Sequence, residues 1–254
     1  MRILRAAFGG ESFYALLREG RACRLARPPF EGIEETGLSY ALDELRLLAP
    51  CTPSKVVCVG KNYLDHVAEA ADGGSTKPPE APLLFLKPST AVIGPGEAIR
   101  RPACSERVDY EGELAVVIGK KAHAIEPGTA KDYILGYTCL NDVTARDIQR
   151  SEGQWTRGKG FDTFCPAGPW IETELDAQNT TLCCRLNGEV KQQSTTALMI
   201  HSIDKLLCVM SECMTLLPGD LIATGTPAGI GPMQAGDVVE VEIKGIGVLR
   251  NPVV

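Results

Sequence analysis

The chain holds only three histidines and two tryptophans in 254 residues, and its ten cysteines never fall into paired Cys-x-x-Cys spacing. A zinc centre, which draws on Cys and His ligands, and a dithiol redox centre are therefore not expected, and reduced thiols packed in the core are. No apolar run approaches the length that spans a bilayer, and no signal peptide precedes the cysteines. There is no repeat of fixed period and no low-complexity tail. Acidic residues outnumber basic ones, 32 against 26, for a formal charge of -6 with the basic residues interspersed. That balance argues against nucleic acid or an anionic membrane as partner. The glycine-rich segment ATGTPAGIGP lacks the Gly-Lys-Ser/Thr ending of a nucleotide-binding loop. These absences leave a soluble, cytoplasmic protein as the expectation.

What is present is mostly strand. The runs KVVCVG, PLLFLK, GELAVVIG, YILGYTCLN, GPWIE, TTLCCRLNGE, DLIATGT and DVVEVEIKGIGVLRNPV are rich in β-formers and are separated by Gly and Pro turns. Helix signals are fewer: ALMIHSIDKLLCVMSECMTL repeats apolar residues at helical spacing, and EPGTAKDY and TARDIQRSEG offer two shorter helical turns. The implied class is α+β, dominated by β. The Pro-bearing stretch LLAPCTPSKV is the best boundary, dividing a small N-terminal domain, 1–52, from a main domain, 53–254.

The most informative segment is acidic. Asp109, Glu111 and Glu113 alternate with Tyr110, Gly112 and Leu114 before the apolar run Ala115, Val116, Val117 and Ile118, so a strand here points all three acids to one face. Carboxylates crowded at the edge of a core repel one another and are tolerated mainly when a cation neutralises them, a hard, oxygen-seeking ion being the natural candidate. The alternative is a solvated acidic face. A second segment, Asn141 to Gln149, follows an apolar strand and adds Asp142 as a further carboxylate at a strand end. In NYLDHVAEA, His66 and Glu69 stand three residues apart, the spacing that places two side chains on one helix face.

Together the segments YEGELAVVIGK and LNDVTARDIQ closely resemble the fumarylacetoacetate hydrolase family. The resemblance continues through CVGKNYLDHVAEA, PLLFLKPSTAVIGPG, WTRGKGFDTFCPAGPWI, LNGEVKQQSTTALMIHSI and ATGTPAGIGP, and the first fifty or so residues are similar to the small N-terminal domain of many bacterial members. The resemblance implies a mixed β-sandwich roll, a homodimer, and Glu111, Glu113 and Asp142 as ligands of Mg²⁺ or Mn²⁺, with Asp109 outside the shell. Three carboxylates with water suit Mg²⁺ better than Zn²⁺. It further implies His66 as general base with Glu69 orienting its imidazole on a mobile lid, and Lys159 stabilising an enolate or oxyanion. Gln149, Arg146 and the hydroxyl of Thr226 are the implied substrate contacts, Gln149 ahead of Arg146, which alternatively braces the metal loop. His123 and His201 lie outside these motifs.

The expected function follows from that resemblance. A 2-oxo or 2-hydroxydienoic acid chelates the metal, which lowers the cost of enolate formation, and a carbon-carbon bond is then hydrolysed or lost as CO₂. An isomerase or tautomerase of 2-hydroxyhepta-2,4-diene-1,7-dioate or oxaloacetate fits the same groups, a role in aromatic catabolism being implied. Two non-enzymatic alternatives are a catalytically retired metal or small-acid binder and a structural protein with a solvated acidic face.

Overall fold

The computed structural model describes residues 1–69 and 77–254, and strands dominate it. Among the described residues the largest sheet has twelve strands, ten of them on one continuous path and Arg46–Leu47 and Val92–Ile93 paired beside it. Its order runs from Glu35–Ala41 through Arg21–Leu25, Glu11–Arg18 and Arg2–Phe8 to Cys165–Glu172, then Ile134–Asn141, Gly112–Ile118, Leu221–Ala223, Val56–Gly60 and the edge strand Leu83–Lys87. Gly112–Ile118 is buried along its whole length because both of its faces are covered. Leu114, Val116 and Ile118 enter one apolar core, and Ala115 and Val117 enter another, as a two-residue period requires. The second core also collects Leu16 and Leu25 from one end of the sheet and Val56 and Cys58 from the other. The intervening strands contribute Ile171, Leu140, Ala115 and Leu221, so one apolar layer runs along this face of the sheet in the expected β-dominated α+β fold.

A four-stranded sheet, in the order Glu189–Thr195, Thr181–Leu186, Val238–Ile243 and Gly247–Pro252, supplies Leu182, Cys184, Val241 and Ile243 to the first core. The helix Ile203–Cys213 adds Leu206, Leu207 and Met210. It is shorter than the periodic run in the sequence. Ser202 is extended and accepts a hydrogen bond from the Lys205 amide at 3.3 Å, which starts the helix there, and Thr196–Leu198 forms a separate 3-10 turn. Of the two shorter helical segments, TARDIQRSEG yields Arg146–Glu152, whereas EPGTAKDY yields only the 3-10 turn Ala130–Tyr133. Among the described residues no helix is long and apolar enough to cross a membrane.

Three junctions position the site. Gly112–Ile118 pairs antiparallel with Ile134–Asn141, with Gly112 opposite Asn141, so the two acidic segments meet at one sheet end. The short strand Val108–Tyr110 belongs to a different sheet, with Thr144–Ala145 and Gly231–Pro232, and Glu111 therefore sits on the step between two sheets. Leu221–Ala223 pairs with the other edge of Gly112–Ile118, and its continuation delivers the 224–230 loop to the same end. The N-terminal strands join this frame through the pairing of Ile3 with Ile171.

Asp220 ties the start of the main sheet together. Its carboxylate has no exposure and accepts from the Ser54 amide at 2.9 Å, the Ser54 hydroxyl at 2.7 Å, the Leu217 amide at 2.8 Å and the Lys55 ammonium at 2.5 Å. These bonds align Val56–Gly60 with Leu221–Ala223 for their parallel pairing. Asp220→Ala leaves the donors unpaired and is expected to cost about 3 kcal/mol in urea denaturation. A loss below about 1 kcal/mol would show that the parallel pair is aligned by other contacts.

Candidate active site

One oxygen each from Glu111, Glu113 and Asp142 lies within 4.8 Å of the others, and all three residues are buried. The step between the two sheets brings Glu111 in, the strand Gly112–Ile118 brings Glu113, and the turn after Ile134–Asn141 brings Asp142. Asn141 fixes that turn by accepting the Glu111 amide on its Oδ1 at 2.9 Å. A solvated acidic face is thereby excluded, because the carboxylates are 1–4 % exposed.

Charges compensate most of this acidity, unevenly. The Lys159 ammonium donates to Glu111 Oε2 at 2.8 Å and to Asp142 Oδ2 at 2.5 Å. Arg146 donates to Glu111 Oε1 and, at 2.9 Å, to Asp109 Oδ2, while Arg107 holds the other Asp109 oxygen at 2.8 Å. Arg146 therefore braces the acidic segment, and Asp109 stands behind it rather than among the three. Burial alone raises the Glu111 carboxyl, but the Lys159 and Arg146 charges together hold it well below the ordinary range. Burial likewise works against the Lys159 ammonium, and Asp142 and Glu111 overcome it, raising the lysine above its usual value.

Glu113 is treated differently. It accepts a hydrogen bond from the Gly225 amide at 2.7 Å, and among the described residues it has no other hydrogen bond and no ion pair. Burial, then Asp142 and Glu111, push its carboxyl well above the usual value. Asp142 also carries an unmet acceptor. Lys87, fully buried, stands 2.7 Å from Asp142 Oδ1 but directs its hydrogen bonds at the carbonyls of Val143, Lys159 and Phe164, at 2.9, 2.7 and 2.8 Å. Asp142 Oδ1 thus accepts no hydrogen bond. A carboxylate without an ion pair and a buried acceptor without a hydrogen bond among the described residues, in an all-oxygen donor set, fit a hard divalent cation.

The helix Leu64–Glu69 presents the His66 and Glu69 pair. His66 Nδ1 lies 3.3 Å from Glu69 Oε2, and since an ionised carboxylate only accepts, the shared proton sits on Nδ1 and leaves Nε2 as the basic position. Burial raises the Glu69 carboxyl, but the His66 hydrogen bond and the Gly229 amide, at 3.0 Å from Glu69 Oε1, bring it below the ordinary value. Residues 70–76, which follow this helix, lie outside the described residues.

All nine residues singled out in the sequence line one cavity of about 390 Å³. Gln149 accepts from Arg146 Nη1 at 3.3 Å. Thr226 is anchored: its hydroxyl donates to the Gly112 carbonyl at 2.9 Å and accepts from Gln192 Nε2 at 2.8 Å. Gln192 and the two amides of the 224–230 loop were not legible as site residues. Gly225 has φ +101°, and a Cβ there would stand 2.7 Å from that of Asn62, so only glycine lets this amide reach Glu113. Lys87 was missed as well, though a lysine closing the apolar run LLFLK before a proline is an unusual choice in sequence.

Residues 55–254 match the fumarylacetoacetate (FAA) hydrolase C-terminal family, and residues 1–50 match the Rv2993c-like N-terminal family. The chain is 44 % identical over 224 residues to a mitochondrial oxaloacetate tautomerase, FAHD2A, of Bos taurus, covering 83 % of this chain and 70 % of that one. A solved 5-carboxymethyl-2-hydroxymuconate delta-isomerase from Mycobacterium smegmatis is 46 % identical with a TM-score of 0.93, covering 100 % of this chain and 99 % of that chain. A 2-hydroxyhepta-2,4-diene-1,7-dioate isomerase from Mycobacterium marinum is 48 % identical with a TM-score of 0.92, over 100 % and 98 % of the two chains.

The raised Glu113 carboxyl has a consequence for stability. Folded chain holds this proton at a pH where unfolded chain has released it, so without metal the Glu113 contribution falls as pH rises above the ordinary carboxylate range. Glu111 acts oppositely, its contribution being lost only as pH falls below that range. Thermal unfolding from about pH 5 to about pH 9 is expected to show a declining Tm in chelator and a flatter profile in Mn²⁺. Identical slopes with and without the ion would place cation binding elsewhere.

Proposed function

Because the chain is a member of the fumarylacetoacetate hydrolase family and an enzyme like its named relatives, we propose that it acts on a small 2-oxo or 2-hydroxydienoic acid with Mg²⁺ or Mn²⁺ held by Glu111, Glu113 and Asp142. The observation that carries the reading is the uneven compensation of the triad: three buried carboxylates converge, and Glu113, which has no ion pair among the described residues, has its carboxyl pushed well above the usual value by burial and by Asp142 and Glu111. The ion supplies Lewis-acid stabilisation of negative charge on the substrate's oxygens.

The chain's own groups supply the proton chemistry. His66, oriented by Glu69 through Nδ1, takes or returns a proton at Nε2. Lys159 sets a fixed positive charge beside the triad, where it favours an oxyanion developing on the substrate. Arg146 holds Glu111 and Asp109 in place and orients Gln149, which remains the better substrate contact of the two. The Thr226 hydroxyl, held between the Gly112 carbonyl and Gln192 Nε2 at the cavity wall, is the remaining contact proposed for the acid.

Moving a proton between carbon and oxygen gives tautomerisation or isomerisation; directing water at a second carbonyl, or losing a carboxylate, gives cleavage. The named relatives at 44–48 % identity are a tautomerase and two isomerases, which favours the first outcome over hydrolysis or decarboxylation. A small N-terminal domain of residues 1–52, a homodimer, a cytoplasmic site of action and a place in aromatic catabolism belong to the same proposal.

Metal binding and proton transfer separate by substitution. Glu113→Gln is the cleanest metal-site variant, because it removes a ligand without stranding a cation; Glu111→Ala and Asp142→Ala each leave a buried ammonium or guanidinium and are expected to lose about 3–5 kcal/mol as well. Calorimetry with Mn²⁺ should show binding abolished in Glu113→Gln, and unchanged affinity there would sink the metal assignment. His66→Ala and Glu69→Ala should keep the ion and slow single-turnover chemistry about a hundredfold or more. Acting as one unit, their double variant should be scarcely slower than the worse single one.

A further inference from the structure

The cavity has a second wall that the proton chemistry does not use. Val59, Phe85, Trp155 and Ile230 line it with apolar surface. Trp155 is held from two directions. A Cβ on Gly60 would lie 2.5 Å from its Cζ3 and 2.7 Å from its Cη2, so the indole rests directly on a backbone that only glycine leaves open. Its ring meets Phe85 edge-on, centroids 5.3 Å apart at 74°. Phe85 in turn lies 5.0 Å from the Lys159 ammonium, so the aromatic pair begins where the charged groups end. The Lys159 amide donates to the Trp155 carbonyl at 2.9 Å, which places the indole and the ammonium one helical turn apart on Thr156–Lys159.

Resting on the function proposed above, we infer that Trp155, backed by Phe85 and Gly60, is a specificity-determining residue: it selects 2-oxo or 2-hydroxydienoic acids that carry a flat, unsaturated carbon tail beyond the reacting carbons over compact oxo diacids. A cavity of about 390 Å³ leaves room beside the triad for such a tail. A conjugated tail lies flat against an indole and desolvates both surfaces, whereas oxaloacetate, polar at both ends, has no carbon segment to place there. The indole is only partly buried and is among the groups that line the cavity, which separates this role from simple packing.

The test compares Trp155→Ala and Trp155→Phe with the unaltered enzyme, each loaded with Mn²⁺, on 2-hydroxyhepta-2,4-diene-1,7-dioate and on oxaloacetate. Trp155→Ala is expected to raise KM for the dienoate at least about tenfold more than KM for oxaloacetate, the scale on which apolar pocket contacts discriminate. Trp155→Phe, which keeps an aromatic face, should restore most of the preference and guards against a misfolded alanine variant. Equal losses on both acids, or an unchanged preference in both variants, would overturn the inference while leaving the proposed function standing. Turnover of neither acid by the unaltered enzyme would instead overturn the function, and the inference with it.

Discussion

Buried negative charge is the constraint around which the rest of the molecule is arranged. Asp109, Glu111, Glu113 and Asp142 are all withdrawn from water, and isolated ionised carboxylates in such surroundings cost several kcal/mol each. Lys159, Lys87, Arg146 and Arg107 answer three of them. The fourth, Glu113, has no ion pair among the described residues and accepts a hydrogen bond from the Gly225 amide. A protein that matched every charge internally would have no electrostatic reason to take up an ion, and the mismatch at Glu113 supplies one.

The fold produces this arrangement by ending several elements at one place. A regular strand through residues 108–118 would set its acids in an evenly spaced row; the break at Glu111, where the chain passes from the small sheet to the large one, lets Glu111 and Glu113 converge with Asp142 instead. Lys87 then acts as a tie. Its three carbonyl partners come from the turn after Asp142, the end of the Thr156–Lys159 helix and the residue before the strand Cys165–Glu172. The loop that carries an acidic ligand and the helix that carries Lys159 are thereby fixed to the same buried ammonium.

The part of the site legible in the sequence was the part with local signals. Alternation from Asp109 to Glu113, the spacing of His66 and Glu69, and the family resemblance name residues whose chemistry lies in their own side chains. Lys87 escaped because its partners are backbone carbonyls from distant segments, which no side-chain pattern records. Gly225 and Gly229 escaped for a related reason: what they contribute is an amide, and sequence shows only that they are glycines in a turn-rich loop. For the fold, strand runs such as GELAVVI were legible because burial on both faces demands continuous apolar residues. The helix around Ile203–Cys213 was read too long, because apolar spacing continues past the point where the Ser202 cap sets its start.

Two carboxylates in one cavity are driven in opposite directions, and that asymmetry explains how the site can serve more than one reaction. Glu69, held low by His66 and the Gly229 amide, stays ionised and keeps the imidazole oriented as a base. Glu113 is held high by burial and by its acidic neighbours, the direction that the proposed cation would reverse. Base and cation site are thus prepared independently, by different loop amides on the same 224–230 segment. Neither preparation specifies what the activated acid does next. That choice falls to whatever lies against the free Nε2 of His66: substrate carbon alone leads to proton return and isomerisation, whereas an admitted water leads to cleavage. Control over water at that one nitrogen, rather than any change in the charged groups, is therefore the smallest difference that separates an isomerase from a hydrolase built on this frame.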